Sequence, residues 1–434
     1  MMMTLAGAIS GPPRAEAPGP DRPGHCQHQA SIGAIQRSAR DDRGTSIALE
    51  FFAAWLPDAR RSCCPVEESS ARSELADRLR AAIAAAPDGI LPFEEFMRRA
   101  LYEPALGYYE RSAQPVGRAG DFYTSVSVGS VFGELLAHQM ADWLALLPPP
   151  PCLLETGAHD ARLAADVLTW FQRFRPAQFE SLTYWIIEPS PTRQEWQRER
   201  LAAFSQQVRW ATSIPTVAGV HFSNELLDAF PVRAVRWDAP LRTWREIGVT
   251  WAADQFRETT FPCRPETPVP DVPAALLDVL PDGFTTETSP LAESWWSHAA
   301  AALPAGFLVA IDYGLPGDEF IVPHRQHGTR RGYRCHRAVD NLLEHPGECD
   351  LTAHVNFTRI QRAGEQSGAR TEFLTEQRLW LTEILRRTTL PEAGFAPWTP
   401  ARIRQFQTLT HPEHLGRSFR CLVQSKGIPP PTPD

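Results

Sequence analysis

The chain has 434 residues, a formal net charge of −8 at pH 7, 43% hydrophobic residues and 22% charged residues. This length allows one large domain or two medium-sized domains with substantial cores. The acidic balance disfavours a general binder of nucleic acids or membrane surfaces, since such proteins are typically basic. No apolar run approaches the roughly 20 residues that a membrane-spanning helix needs.

The first 70 or so residues are rich in Pro, Gly, Ala and Arg. This composition predicts a disordered extension over residues 1–72, in which only 45–56 has the character of a helix. The start of the chain lacks the basic segment and continuous apolar core of a secretory signal. The eight cysteines include no C-x-x-C pair, which disfavours a disulfide framework and favours a cytoplasmic location.

Ordered structure is predicted from residue 73 onward. Residues 73–150 form a helical region, because Leu75, Leu79 and Ile83 recur at helical spacing. The same region contains the turn "GRAGDFYTS" at 117–125, which groups Gly117, Gly120, Asp121, Thr124 and Ser125. Gly and Asp are common turn formers, so a surface turn is the alternative interpretation.

Residues 151–424 alternate between predicted strands and helices, a pattern typical of a parallel α/β sheet. Residues 232–300 interrupt the alternation with a predicted antiparallel hairpin and a proline-rich loop, and they are interpreted as an inserted subdomain. Helices follow over 353–390, and "HPEHLGRSFRCLVQS" closes the core with a strand. Residues 425–434 form a tail.

The stretch "LLETGAHDARLAADVL" at 153–168 is predicted to form a strand, a turn and a helix that begins near Arg162. Strand–turn–helix units of this layout often bind a nucleotide or an adenosyl cofactor at the turn. Such turns usually hold two or three glycines, which permit positive φ and a close approach of backbone to ligand. This turn holds only Gly157.

Acidic residues follow several of the predicted strands. Glu155 and Glu188 end the first two strands, and Asp312 with Tyr313 ends a later one. Parallel sheets bind ligands outside the carboxyl ends of their strands, although a helix cap is the alternative role for any single acid. Asn224, Glu225 and Asp228 follow another strand, and on a helix starting there the two acids share a face.

Other catalytic classes find little support. The segment 328–357 is rich in Cys and His, but it lacks the closely spaced pairs of structural zinc sites, so no metal is predicted. The sequence contains no G-x-S-x-G elbow, no P-loop and no G-x-G-x-x-G.

Taken in order, nine blocks of sequence resemble the MidA-like S-adenosylmethionine-dependent methyltransferase family, and they span about residues 88 to 424. The blocks are "ILPFEEFMRRALYEPALGYY", "GDFYTS", "FGELLA", "IIEPSPTRQEWQ", "SNELLDAFPV", "IDYG", "GTRRGYRCHR", "CDLTAHVNF" and "LGRSFRCLV". The resemblance implies an α/β fold with a class I methyltransferase Rossmann-like seven-stranded sheet, N-terminal helices and an inserted subdomain on the substrate side. It also implies S-adenosyl-L-methionine as the cofactor.

The resemblance further implies roles for individual residues. The cofactor would be bound by Gly120, Asp121, Thr124, Glu155, Gly157 and Glu188. Asn224 and Glu225 would face the transferred methyl group. Glu225 and Asp228 would clamp a substrate guanidinium, because carboxylates bind and orient that cation. Asp312, Tyr313 and His354 are second choices for the clamp.

The implied reaction is methylation of an arginine in a partner protein, a respiratory complex I-type subunit by analogy with mitochondrial members of the family. The family's turn reads Glu-x-Gly-x-Gly-x-Gly, whereas this chain has His159 and Ala161 at the second and third glycines. That departure favours the alternative of a catalytically inactive binding or assembly factor, and a small-molecule methyltransferase is a second alternative. The oligomeric state stays open, with a homodimer among the options.

Overall fold

The computed structural model describes residues 69–110, 124–270, 272–334, 337–390 and 393–429. The predicted helix at 45–56 and nearly all of the predicted extension lie outside these residues, as do Gly120 and Asp121. The first described helix begins at Ser69, within the predicted extension. No helix among the described residues combines the length and apolarity of a membrane span.

The strands and helices are numbered here in chain order. The strands are β1 Leu91–Pro92, β2 Cys152–Thr156, β3 Thr183–Ile187, β4 Val208–Ala211, β5 Gly219–Asn224, β6 Arg233–Asp238, β7 Thr243–Ala252, β8 Gln255–Pro262, β9 Thr285–Thr288, β10 Gly306–Leu315, β11 Arg331–Arg334, β12 Arg337–Ala338, β13 Asp350–Thr352, β14 Val355–Asn356, β15 Arg370–Glu376 and β16 Phe419–Lys426. The helices are α1 Ser69–Ala85, α2 Phe93–Tyr102, α3 Val131–Leu144, α4 Arg162–Phe174, α5 Pro176–Ser181, α6 Pro191–Arg200, α7 Ala274–Leu277, α8 Pro290–Ala302, α9 Phe357–Gln366, α10 Gln377–Thr388, α11 Pro400–Thr410 and α12 Leu415–Ser418.

The larger sheet has the strand order β15-β16-β10-β5-β2-β3-β4. Neighbouring strands from β10 to β4 are parallel, whereas β16 runs antiparallel between β10 and β15. A two-residue strand, β14, adds to the end of β10, so the pairing includes eight strands rather than the predicted seven. The predicted α/β class is confirmed.

Helices cover both faces of this sheet. On one face, α3 and α4 bury a large apolar cluster that includes Phe132, Trp170 and Phe171. On the other face, Trp296 of α8 and Phe357 of α9 pack against the strands. Burial on both faces explains why β10 is continuously apolar from Phe307 to Ile311 rather than alternating.

A second sheet is antiparallel, with the order β1-β7-β6-β9 and β8 paired to β7. It contains the hairpin predicted from 232–251. Within 232–300, the strands β6 to β9 belong to this sheet, whereas α8 packs on the larger one. The N-terminal helices bury Leu75, Leu79 and Phe96 against the second sheet.

The closing segment contains two strands that the sequence did not predict, the two-residue β14 and the longer β15. Residues 353–390 were predicted as helices, but β15 lies between α9 and α10. The strand lies at the edge of the sheet and pairs only with β16 among the described strands, so its side chains are only partly buried. Because both faces of β15 are only partly buried, its apolar and polar residues do not alternate strictly. Periodicity alone does not distinguish such a short strand from a helical segment.

Candidate functional site

A cavity of about 1190 Å³ lies at the carboxyl ends of β2, β3, β4 and β5. Its wall includes Thr156 and Gly157 after β2, Glu188 after β3, Ser213 after β4 and Glu225 after β5. The carboxyl ends of parallel strands meet at one edge of a sheet, where α/β folds bind their ligands. The cavity therefore joins three of the sequence-predicted site residues, Gly157, Glu188 and Glu225.

The turn after β2 keeps a left-handed backbone at all three positions where the family pattern has glycine. The φ angles are 81° at Gly157, 45° at His159 and 61° at Ala161. A side chain other than glycine in this region costs roughly 1–2 kcal/mol. The chain therefore keeps the shape of the glycine-rich turn at the expense of strain at His159 and Ala161.

Gly157 also lies against the neighbouring loop. A Cβ built at this position would meet Cδ1 of Leu226 at 3.0 Å. Leu226 itself contributes to the cavity wall. Backbone at Gly157 is therefore open to the cavity on one side and closely packed on the other.

His159 stands in the cavity wall rather than out in solvent. Burial is the main cause that lowers the pKa of His159, and the nearby Asp160 acts in the opposite direction. Its Nδ1 is buried and has no hydrogen-bond partner among the described residues. The imidazole is thus a neutral group beside the turn. Asp160 pairs with Arg200 at 2.8 Å and accepts from the main-chain nitrogen of Arg162, as expected for a helix start.

Glu188 is 3% exposed and follows β3 directly. Its carboxylate accepts hydrogen bonds from the main-chain nitrogen of Ser190 at 2.9 Å, from Arg193 Nε at 3.1 Å and from Gln197 Nε2 at 3.3 Å. Two carboxylate oxygens offer about four acceptor positions. Three protein donors hold the group in place and leave about one acceptor position for a ligand hydroxyl.

Glu155, by contrast, does not line the cavity. It lies within β2, is 3% exposed and accepts a 2.7 Å hydrogen bond from the hydroxyl of Tyr184. Burial raises the pKa of Glu155 to about 7. Side chains alternate across a strand, so the next residue, Thr156, reaches the cavity instead.

The "GDFYTS" turn is described only from Thr124 onward. Thr124 exchanges hydrogen bonds with Ser127 and does not line the cavity. The main-chain N–H of Ser125 donates to the carboxyl group of Glu225. The end of this turn therefore reaches the site through Ser125 rather than through Thr124.

Glu225 adopts a left-handed backbone conformation, with φ of 51°. Such an outlier in a residue other than glycine persists only when its surroundings hold it, and outliers of this kind cluster at functional sites. Its carboxyl group faces the cavity and accepts from Asn224 Nδ2 at 3.0 Å. Burial, reinforced by the charge of Asp228, raises the pKa of Glu225 to about 8. Asn224 thus orients Glu225 and is not itself part of the cavity wall.

The helix predicted over Glu225 and Asp228 is wrong. The loop instead turns at Glu225, and the carboxylate of Asp312 binds the main-chain nitrogens of Leu226 at 3.0 Å and Leu227 at 2.7 Å. Had a helix begun here, its first main-chain nitrogens would have no hydrogen-bond partner within the helix. Asp312, which lies inside β10 rather than at its end, therefore fixes the loop.

Asp228 lies behind Glu225 and does not line the cavity. Burial and the charges of Asp312 and Asp350 raise the pKa of Asp228, and burial raises that of Asp312 to about 7. Interaction with the side chain of Asp312 acts in the same direction on the pKa of Asp228. Four acids, Glu225, Asp228, Asp312 and Asp350, thus form one buried acidic cluster.

Tyr313 and His354, the other second choices for the guanidinium clamp, lie at different places in the fold. Tyr313 is partly buried and packs on Phe419, with ring centroids 3.9 Å apart. His354 lines a separate cavity of about 20 Å³ and has a pKa lowered to about 4 by burial. The described residues contain no group of three or more His, Cys, Asp or Glu side chains that could hold a metal ion.

Several cavity residues were not predicted from sequence. Tyr102 and Tyr109 come from the N-terminal region, Arg193 from α6, and Trp295 with His298 from α8. The sequence did contain a pattern for the cavity-lining face of α8, because Leu291, Trp295, His298 and Ala302 recur at helical spacing. A second apolar stripe on a helix, however, usually indicates packing in the core. Only the tertiary structure brings these elements to the same cavity.

Comparisons with known proteins agree with this geometry. Residues 135–375 match a family model described as "Putative S-adenosyl-L-methionine-dependent methyltransferase". The chain is 28% identical over 399 residues to the Drosophila melanogaster protein arginine methyltransferase NDUFAF7 homolog, mitochondrial, covering 83% of this chain and 86% of the relative. It is 26% identical to the Danio rerio protein arginine methyltransferase NDUFAF7, mitochondrial, covering 83% and 88%.

A solved structure matches over a similar range. The crystal structure of a Burkholderia thailandensis protein bound to S-adenosyl-homocysteine superposes with a TM-score of 0.76 at 31% identity. The match covers 86% of this chain and 96% of the other. The native crystal structure of a protein of the same superfamily and organism gives a TM-score of 0.71 at 30% identity, with the same coverage.

The residues of the cavity fit the cofactor of this family. Gly157 presents bare backbone where a Cβ would be crowded by Leu226, and Glu188 keeps an acceptor position for a hydroxyl. S-adenosyl-L-methionine is the cofactor, and the chain belongs to the family of S-adenosyl-L-methionine-dependent methyltransferases.

Proposed function

We propose that this chain methylates an arginine side chain of a partner protein. The observation that carries the proposal is the position of Glu225, a partly buried carboxyl group that shares one cavity with Gly157 and Glu188. The names of the curated relatives, which are protein arginine methyltransferases, support the same reaction.

The protein's main task is to hold donor and acceptor in line. When bound, S-adenosyl-L-methionine supplies an electrophilic methyl group on a sulfonium sulfur. Gly157 and Glu188 hold the cofactor from the β2 and β3 sides of the cavity, and Glu225 binds the incoming guanidinium from the β5 side. Holding two reactants in near-attack geometry can supply roughly 7–11 kcal/mol of the barrier.

Glu225 has a second task, which concerns the proton. A guanidinium nitrogen that gains a methyl group must lose one proton, and the free cation is a poor nucleophile because its charge is delocalised. The ionised Glu225 carboxylate polarises the guanidinium and accepts that proton. Its pKa of about 8 suits the task, because a general base works best with a pKa near the working pH. Asn224 and the main chain of Ser125 fix its orientation.

The acidic cluster favours a cationic substrate over a neutral small molecule. Four buried carboxyl groups close together ionise with difficulty, and a bound guanidinium relieves that repulsion. Positive side chains at the cavity are already paired: Arg98 with Glu95 and Arg193 with Glu188. Glu225, the member of this cluster that lines the cavity, therefore favours a cationic ligand.

We also propose the finer features implied by the family resemblance. The seven consecutive strands from β15 to β4 would form the class I methyltransferase sheet, with β14 as an addition; the antiparallel β16 within an otherwise parallel run supports this. A respiratory complex I-type subunit is proposed as the substrate. A cytoplasmic location and the oligomeric state stay predictions.

The test uses purified chain, S-adenosyl-L-methionine labelled on the methyl group, and soluble protein of the source organism. We expect labelled methylarginine after acid hydrolysis of the protein fraction, measured by mass spectrometry. The Glu225→Gln variant should bind S-adenosyl-homocysteine normally but lose most of the label. Label confined to small molecules, or absent although the cofactor binds, would contradict the proposal.

A further inference from the structure

Two tyrosines form the wall of the cavity on the side of the N-terminal region. Tyr102 is the last residue of α2, and Tyr109 lies in the short 3₁₀ turn that follows it. Their rings are stacked, with centroids 5.5 Å apart and planes inclined by 29°. Aromatic rings in a cavity wall supply apolar surface, and each ring face that remains uncovered is electrostatically negative.

Both hydroxyl groups are held by the protein. The hydroxyl of Tyr102 donates to the main-chain oxygen of Ala229 at 2.9 Å, and that of Tyr109 donates to Asp350 Oδ1 at 2.7 Å. Burial raises the pKa of both phenols, so they stay neutral. With the polar ends fixed in this way, the tyrosines present their ring carbons to the cavity.

The tyrosine wall is tied to the loop that carries Glu225. Ala229, the acceptor for Tyr102, is four residues after Glu225, and Asp350, the acceptor for Tyr109, belongs to the acidic cluster. Aromatic faces and a carboxyl group therefore share one cavity and one supporting network. A planar guanidinium stacks on aromatic faces while it binds a carboxylate, whereas an ammonium cannot stack.

We propose that Tyr102 and Tyr109 form the slot that binds the substrate guanidinium, and that Asp350 is a positioning residue that sets the ring of Tyr109. This inference rests on the proposed function and adds the residues that select arginine. In the slot, the guanidinium lies on the ring faces with one nitrogen turned toward Glu225. Transfer then forms the N–CH₃ bond and breaks the S–CH₃ bond, whose electron pair stays on sulfur, and the nitrogen proton goes to Glu225.

The test uses the full chain saturated with S-adenosyl-homocysteine, and two probes: a tripeptide acetyl-Gly-Arg-Gly-amide and its lysine counterpart. Calorimetry should show binding of the arginine probe and at least tenfold weaker binding of the lysine probe. Tyr102→Leu and Tyr109→Leu should each weaken the arginine probe about tenfold, in line with the loss of a desolvated cation–π contact. Affinity for S-adenosyl-homocysteine should stay within about twofold.

Conservative variants separate the slot from a merely structural role. Tyr102→Phe and Tyr109→Phe keep the ring faces and should lose less affinity than the leucine variants. Asp350→Asn keeps an acceptor for Tyr109 and should retain probe affinity that Asp350→Ala loses. Phe256→Leu is a matched control, because Phe256 packs edge-on against Phe96 of α2 but does not line the cavity. It should leave probe affinity unchanged.

The outcomes distinguish the two proposals. If the wild-type chain binds the arginine probe but the leucine variants bind it equally well, the slot is wrong and the proposed function stands. If the wild-type chain binds S-adenosyl-homocysteine but neither probe, both proposals fail. If the leucine variants lose S-adenosyl-homocysteine instead, the tyrosines belong to the cofactor site, and the slot is again wrong.

Discussion

Gln197 donates a hydrogen bond of 3.0 Å from its side-chain amide to the main-chain oxygen of His159. The same amide donates to Glu188, and the side-chain oxygen of Gln197 accepts from the indole of Trp210 at 3.0 Å. Gln197 is fully buried, so each of these bonds forms away from bulk water. One side chain of α6 thus fixes the turn after β2 relative to the acid after β3.

Replacement of Glu188 should weaken cofactor binding. Glu188→Ala removes an acceptor for a ligand hydroxyl, and a hydrogen bond to a charged group contributes about 1.5–3 kcal/mol. We therefore expect the dissociation constant for S-adenosyl-L-methionine, measured by isothermal titration, to rise at least about tenfold. Glu195→Ala is the matched control, because Glu195 is an exposed acid on α6, the helix that follows Glu188. Unchanged affinity in Glu188→Ala would remove Glu188 from the cofactor site.

Gly157 should tolerate a methyl group poorly, because of both its backbone conformation and its neighbour. Gly283 provides a matched control, since its φ of 80° is almost that of Gly157 but a Cβ there would meet nothing within 4 Å. Gly283→Ala should therefore lose only the conformational part of the stability, about 1 kcal/mol. Gly157→Ala should lose more and should also weaken cofactor binding. Urea denaturation and calorimetry measure the two effects, and equal behaviour of the two variants would contradict the close packing against Leu226.

The left-handed conformation at His159 can be tested by comparing two substitutions. His159→Ala and His159→Gly both remove the imidazole from the cavity wall, but only glycine relieves the strain at φ of 45°. We expect the glycine variant to be more stable than the alanine variant by about 1 kcal/mol in urea denaturation. A more stable alanine variant would show that the turn adopts another conformation.

Methyl transfer should increase as the pH rises through 7 to 8. Glu225, with a pKa of about 8, is mostly neutral below that range, and only its ionised form binds and deprotonates a guanidinium. The ratio kcat/KM should rise about tenfold per pH unit below the pKa, since it reports the free enzyme. Glu225→Gln should flatten the profile as well as lower it. A wild-type profile that is flat from pH 6 to 9 would argue against Glu225 as the base.

The same raised pKa predicts an opposite effect on stability. Between the ordinary value of 4.5 and about 8, the folded chain keeps the proton on Glu225 that the unfolded chain releases. Stability therefore falls as the pH rises through this window. Urea denaturation at pH 5 and pH 8 should show a larger loss in the wild type than in Glu225→Gln. An equal loss in both proteins would mean that Glu225 is not protonated in the folded chain.

Sequence alone located the elements whose local pattern is strong. The strand, turn and helix around Gly157, the strand before Glu188 and the hairpin in 232–300 all follow from apolar periodicity and turn residues. The order of motifs then identified the family and its cofactor. These features depend on neighbours close in the chain, so the sequence is enough to predict them.

Tertiary structure decided which of the candidate residues share the cavity. Glu155 and Asp228 are close in sequence to Gly157 and Glu225, yet they face the interior, because side-chain direction depends on strand register and on the turn at Glu225. Likewise, Tyr102 reaches the site only because its hydroxyl bonds to Ala229, 127 positions further along the chain. Such contacts form between distant segments when the sheets pack together, and no local pattern in the sequence records them.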